Sequence, residues 1–272
     1  MREQTSNSFE HQKLLQKYSV LLKELDGCFS EIIFPDLPPC EGRLNLMAKL
    51  IGTPPSESLY IVAYLQKALH LDGDVCEFGV AQGATSALLA NEIRATEKSL
   101  WLFDSFQGLD KPSEKDVLIN DIFNLGSIDK YKGTMACKVD DVKARLRDIL
   151  FPASRTKTVA GFIEETINSK NLPDRVCFAY IDFDFYNPIL TALRFLNAHL
   201  STGGFVVVDD YGFFSSGAKS AVDEFLQEQP GSYEAIFPHR FASQSTPFCI
   251  LQKVHDYYCM TTRIASNPKP RD

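Results

Sequence analysis

Two short acidic motifs are the residues best equipped for chemistry. Asp182-Phe183-Asp184 follows the apolar run Val176–Ile181, and Asp209-Asp210 follows the apolar run Phe205–Val208. Carboxylates gathered in a small space repel one another and raise each other's pKa. A hard cation resolves that conflict, and an all-oxygen donor set suits Mg²⁺. One aspartate leaving a strand reads as a turn or helix-capping residue. Two pairs leaving two neighbouring strands read as a metal centre, because ligands of an open parallel sheet bind beyond the carboxyl ends of its strands.

A second constellation lies earlier in the chain. Glu77-Phe78-Gly79-Val80-Ala81-Gln82-Gly83 joins a short apolar run to a helical one. Glycines there let backbone amides approach a ligand, and the following helix start offers unpaired N–H groups. The dinucleotide fingerprint G-x-G-x-x-G is absent, since Ala81 stands where the second glycine would admit a pyrophosphate. Glu77 also disfavours a nearby phosphate and suits a cationic amino-acid group. Asp104 lies about 20 residues on, where an acid grips ribose hydroxyls in this architecture. The alternative is a plain turn or capping role. Phe162 ends the third strand and is placed to pack on an adenine face, or simply in the core.

These residues need strands and helices to hold them. Apolar runs at 75–78, 99–103, 156–160, 176–181 and 205–208 predict five strands, alternating with helices near 84–93, 138–150 and 218–229. Short continuous apolar strands of this kind predict a buried parallel sheet with helices on both faces. Two late runs, 233–237 and 248–253, have no long helix between them and predict an antiparallel closing hairpin, making seven strands. Residues 9–26 carry Leu14, Leu15, Tyr18, Leu21, Leu22 and Leu25 at helical spacing, an amphipathic helix that packs on the domain or on a partner subunit. Residues 56–70 predict another helix capped by Ser56 after Pro54-Pro55. Residues 34–39 and 106–134 read as irregular connections, and the segment after Val254 as a polar tail.

Composition excludes several classes. The 272 residues carry a formal charge of −7 and 44% apolar side chains, enough for a sizeable core and ill suited to a nucleic-acid backbone. No run approaches the length of a membrane span and the first residues have no apolar signal core, so the expectation is a cytoplasmic protein with neither a membrane nor a nucleic-acid partner. The seven cysteines are scattered, odd in number and without a C-x-x-C pair, which argues against zinc and disulfides. Cys76 and Cys177 read as core thiols. His199 reads as a helix C-terminal cation, and His239 and His255 as surface residues.

The segments EFGVAQG (77–83), LFDSFQGL (102–109), AGFIEETI (160–167), IDFDFYNP (181–188) and GGFVVVDDYG (203–212) together resemble the macrocin O-methyltransferase family. The likeness runs from about residue 50 to residue 252. It implies a class I methyltransferase, Rossmann-like fold, with an N-terminal helical extension or lid at 1–55, an S-adenosylmethionine-dependent domain at 56–256 and a tail at 257–272. By the same resemblance Asp182, Asp209 and Asp210 would ligate Mg²⁺, and Asp184 would be the general base, with Asp182 beside it in the catalytic group. Ile51, Glu77, Gly79, Gly83, Thr85, Asp104, Ser105, Phe162 and Asp182 would line the cofactor site. Phe183 and Phe185 depart from the family pattern, and residues 26–48 and 106–134 match no part of it.

The implied reaction is methyl transfer to a hydroxyl of a small molecule, a sugar or vicinal diol of a secondary metabolite. A catechol or phenol acceptor is the main rival, and a nicotinamide-dependent oxidoreductase is a more distant one. The N-terminal helix admits a homodimer or a higher homo-oligomer.

Overall fold

The structure is a computed structural model that describes residues 2–238 and 247–255, with side chains from residue 12 onward. His239 and the tail expected at 257–272 lie outside the described residues. Seven strands form one sheet: β1 (Asp74–Phe78), β2 (Leu100–Asp104), β3 (Thr156–Ala160), β4 (Val176–Ile181), β5 (Leu200–Val208), β6 (Tyr233–Ile236) and β7 (Cys249–Lys253), in the order β3-β2-β1-β4-β5-β7-β6. The first five strands are parallel, and β7 runs antiparallel between β5 and β6. The chain winds outward from β1 to β3, then returns to the other side of β1 to make β4 and β5. The switch point therefore lies between β1 and β4, where Phe78 pairs with Ile181.

Period-two alternation divides the buried strand residues between two cores. Phe178, Tyr180, Phe205 and Val207 join the helices α3 (Pro55–Ala68) and α4 (Ala84–Glu92) on one face. Ala179, Ile181, Val206 and Val208 join α6 (Ile163–Thr166), α7 (Tyr186–His199) and α8 (Ser216–Glu228) on the other. Cys76 and Cys177 are buried in these cores, as expected. Strand β5 starts five residues earlier than the apolar run suggests, because Leu200 pairs with Val176 across a register shift that the pair Gly203-Gly204 accommodates.

The N-terminal part consists of α1 (Arg2–Cys28), a π-helical turn (Phe29–Ile33) and α2 (Arg43–Met47). Phe29 and Phe34 both pack edge-on against Tyr60 of α3. Arg43 donates twice to Glu92 of α4, at 2.8 and 2.7 Å, and Gln66 donates to the same carboxylate. Breaking such a buried pair by removing one partner costs roughly 3–5 kcal/mol. Helix α3 starts with Pro55 at its first position and Pro54 as cap, two residues ahead of the expected cap Ser56.

The connection between β2 and α5 (Val139–Asp148) contains only a 3₁₀ turn at Ile128–Tyr131, yet it is firmly held. Asp116 accepts from the Ser113 amide and hydroxyl and from the Tyr186 amide at the start of α7. Asp121 accepts from the Leu125 and Gly126 amides and the Tyr131 hydroxyl. Tyr131 packs with Phe185 and Phe214 in a small third core that ties this loop to the ends of β4 and β5.

Candidate active site

The exits of β1, β2, β4 and β5 open into one cavity of about 560 Å³. Of the expected site residues, Ile51, Glu77, Gly79, Thr85, Asp104, Ser105, Phe162, Asp182, Asp184, Asp209 and Asp210 all line it. Gly83 does not. It caps α4 in a left-handed conformation, where a Cβ would come within 2.8 Å of Val142. Gly79 is required for a related reason: its Cβ would meet the Asp182 carbonyl oxygen at 2.0 Å, so only glycine lets the β1 loop cross the exit of β4. These glycines therefore serve close packing of the protein on itself as much as access to a ligand.

The β1–β2 half is already hydrogen-bonded. Asp104 Oδ2 accepts from the amides of Val80 (2.7 Å) and Ala81 (3.0 Å), and its Oδ1 accepts from the Phe106 amide. The carboxylate thus braces the loop while it also lines the cavity. The Ser105 hydroxyl donates to the Gly108 carbonyl and shapes the turn. Thr53 and Thr85 share a hydrogen bond of 3.1 Å that brings the Ile51–Thr53 segment over α4. Glu77 differs from its neighbours. Both its carboxylate oxygens are buried without a well-formed hydrogen bond. Burial pushes its pKa up to about 8, with Ser86 pulling the other way and Asp104 adding to the rise.

The β4–β5 half is crowded with acids. Asp184 and Asp209 are buried, and Asp182 and Asp210 are half-buried. Removal from water raises the pKa of all four, and their mutual repulsion adds to the rise for Asp182, Asp184 and Asp210. No lysine or arginine among the described residues forms an ion pair with any of them. The Tyr180 hydroxyl donates to Asp209 Oδ2 at 3.1 Å, with Asp182 Oδ2 at 3.4 Å as a longer acceptor. Asp184 and Asp210 share a hydrogen bond between their carboxyls, as do Glu57 and Asp209.

The backbone here is strained. Asp184 has φ +63° in a three-residue turn closed by the Phe185 amide on the Phe183 carbonyl, and Asp210 has φ +55°. Such conformations cost about 1–3 kcal/mol each and persist only where the surroundings impose them. The Ser215 hydroxyl, which caps α8, donates to the Asp184 carbonyl and helps to do so.

Sequence reasoning missed two members of this group. Tyr180 looked like core. Glu57, in the first turn of α3, is buried against Asp209 and Asp182, and burial followed by their charge raises its pKa strongly. In sequence it reads only as an acid favouring a helix N-terminus. Much of the remaining wall of the cavity is apolar and includes Leu109, Ile122, Phe123, Phe183, Phe185 and Phe213, with Gln82, Asp110 and Glu164 as its polar members.

The donor set fits a hard divalent cation: oxygen ligands alone, excess negative charge, and one phenol as the main neutral partner. In the described residues, three acidic side chains do not already surround a common point. They are drawn into carboxyl pairs instead.

Comparison with known proteins gives one consistent result. A family model for macrocin O-methyltransferase matches residues 61–232. The chain is 23% identical to an 8-demethyl-8-(2,3-dimethoxy-α-L-rhamnosyl)-tetracenomycin-C 4′-O-methyltransferase of Streptomyces olivaceus, over 78% of this chain and 82% of that protein. It is 26% identical to demethyldecarbamoylnovobiocin O-methyltransferase of Streptomyces niveus, over 57% of this chain and 59% of that protein. The fold matches the O-methyltransferase NovP with a TM-score of 0.63 at 21% identity, covering 74% of this chain and 81% of that one. It matches a calicheamicin methyltransferase with a TM-score of 0.55 at 20% identity, covering 88% and 91%.

Proposed function

Because the chain belongs to the macrocin O-methyltransferase family, and is thereby an S-adenosylmethionine-dependent O-methyltransferase, we propose that it methylates a hydroxyl of a sugar or vicinal diol in a secondary metabolite with the help of Mg²⁺. The observation that supports this most is the meeting of four aspartates, from the exits of two adjacent strands, in the same cavity as the nucleotide loop. The relative named for a rhamnosyl tetracenomycin supports a sugar acceptor. The nicotinamide alternative is abandoned: the family is a methyltransferase one, and Ala81 occupies the place of the missing glycine.

In this reading the cofactor supplies a methyl group on a sulfonium, already a good leaving group. Asp104 accepts from its ribose hydroxyls, Phe162 packs on its base, and Glu77 meets its amino-acid ammonium. Asp182, Asp209 and Asp210 would hold Mg²⁺, whose charge would favour loss of the proton from the acceptor hydroxyl. Asp184 takes the proton from the acceptor hydroxyl. The strained turn at Asp184 fixes where that carboxylate points, and fixed geometry supplies much of the rate of a direct displacement.

Asp184→Asn should lower turnover about 10²–10⁴-fold while S-adenosylhomocysteine affinity, measured by calorimetry, stays within about twofold. A fully active variant removes Asp184 from the mechanism, and full activity in chelator removes the metal. The apolar wall with Phe183, Phe185 and Phe213 favours one second reading, a catechol or phenol acceptor. Rates on a panel of glycosides and catechols separate the two.

A further inference from the structure

Helix α1 is the part of the molecule least used by its own body. Of its described residues only Leu22 is buried and only Leu25, Asp26 and Gly27 are half-buried, Leu25 against the edge of the core, while Leu14, Leu15 and Leu21 are 65%, 54% and 52% exposed and Tyr18 is 38% exposed. A long helix gains most of its stability from packing an apolar face, and contiguous exposed apolar surface marks an interface. The spacing says what kind. Leu14, Tyr18, Leu21 and Leu25 recur at intervals of four, three and four, the seam of a helix that packs on another helix.

The charges beside that seam select the partner. Lys17 and Glu24 stand seven residues apart on one edge of the stripe, and both are exposed. If two copies of α1 pair antiparallel, with Leu14 opposite Leu25 and Tyr18 opposite Leu21, each Lys17 comes beside the Glu24 of the other helix. A parallel pair would instead place Lys17 beside Leu22, with no charge to meet it. A two-fold arrangement satisfies both ion pairs with one contact surface, as symmetric dimers require. We propose that α1 is the dimer contact of this protein, pairing antiparallel with α1 of a second copy of the chain.

Sedimentation velocity on the full chain tests this. Wild type should sediment at twice the 30.5 kDa of one chain. Leu14→Glu combined with Leu21→Glu, both at exposed positions, should be monomeric, with unchanged circular dichroism and S-adenosylhomocysteine binding. Lys17→Glu should weaken the dimer about tenfold, and adding Glu24→Lys should restore it. A monomeric wild type overturns the proposal, including one that binds lipid vesicles or another protein instead. So does a dimer indifferent to the Leu14 and Leu21 changes. A charge reversal that is not rescued overturns the antiparallel pairing.

Discussion

The two halves of the cavity are built on opposite principles. At the exits of β1 and β2 the polar groups largely satisfy one another: Asp104 takes three backbone amides, Ser105 closes its own turn, and Thr53 bonds Thr85. At the exits of β4 and β5, four aspartates and Glu57 stand together, with no ion pair to the four among the described residues and with two of them in left-handed backbone. The first half is a socket complete before its ligand arrives. The second stores unfavourable electrostatics that a cation would relieve. An enzyme would gain from this division, because the cofactor could bind to a fixed site while a metal, if it binds as proposed, would supply the final ordering of the acceptor side.

The contrast breaks or survives first at Asp209 and Asp210. Replacing both with asparagine should remove metal-dependent turnover by about 10³-fold or more, the scale of losing several kcal/mol of charge stabilisation. It should also raise the melting temperature of the metal-free protein by several degrees, since the mutual repulsion of two crowded acids is gone and asparagine tolerates the left-handed backbone of Asp210. Scanning calorimetry in chelator reads the second effect. A lower melting temperature would mean that the acid cluster stabilises the fold, and the contrast would be lost.

Glu57 sharpens the comparison at a smaller scale. It reaches Asp209 from α3, so it joins the N-terminal helices to the acidic half. Partners that orient a metal ligand are worth about 10–100-fold in metal affinity. Glu57→Gln should therefore weaken Mg²⁺ activation by that factor and leave cofactor affinity unchanged. Magnesium titration of the initial rate measures it.

How far the sequence revealed these halves follows from where their residues sit in the chain. Asp182, Asp184, Asp209 and Asp210 were readable because a buried parallel strand is an unbroken apolar run, so an acid at its end marks the exit. That the two runs pair directly was an assumption that the register of β4 on β5 supports. Glu57 was not readable. It lies about 125 residues from its nearest aspartate in sequence, and α3 is buried on all sides from Glu57 to Leu65, so no polar face sets the acid apart. The 106–134 loop was equally opaque. Its anchors, Asp116 and Asp121, bind mostly backbone amides, and a backbone amide leaves no mark on residue spacing.

Glu77 offers the finest test, because both its carboxylate oxygens are buried without a well-formed hydrogen bond in the otherwise largely satisfied half. Burial lifts its pKa from 4.5 to about 8, so the folded protein keeps this proton over a range in which the unfolded chain has released it. The stability it contributes is full below pH ~4.5 and is lost as pH rises through about 8. Asp182, Asp184 and Asp210, also raised, act in the same direction. The ligand-free melting temperature should thus fall as pH rises from 5 to 8, and Glu77→Gln should flatten that slope by a few degrees. Saturating S-adenosylhomocysteine should flatten it in wild type as well, since an ammonium beside Glu77 favours the charged carboxylate. If the cofactor leaves the slope unchanged while binding tightly, Glu77 does not meet the ammonium, and the proton it holds belongs to the architecture of β1 alone.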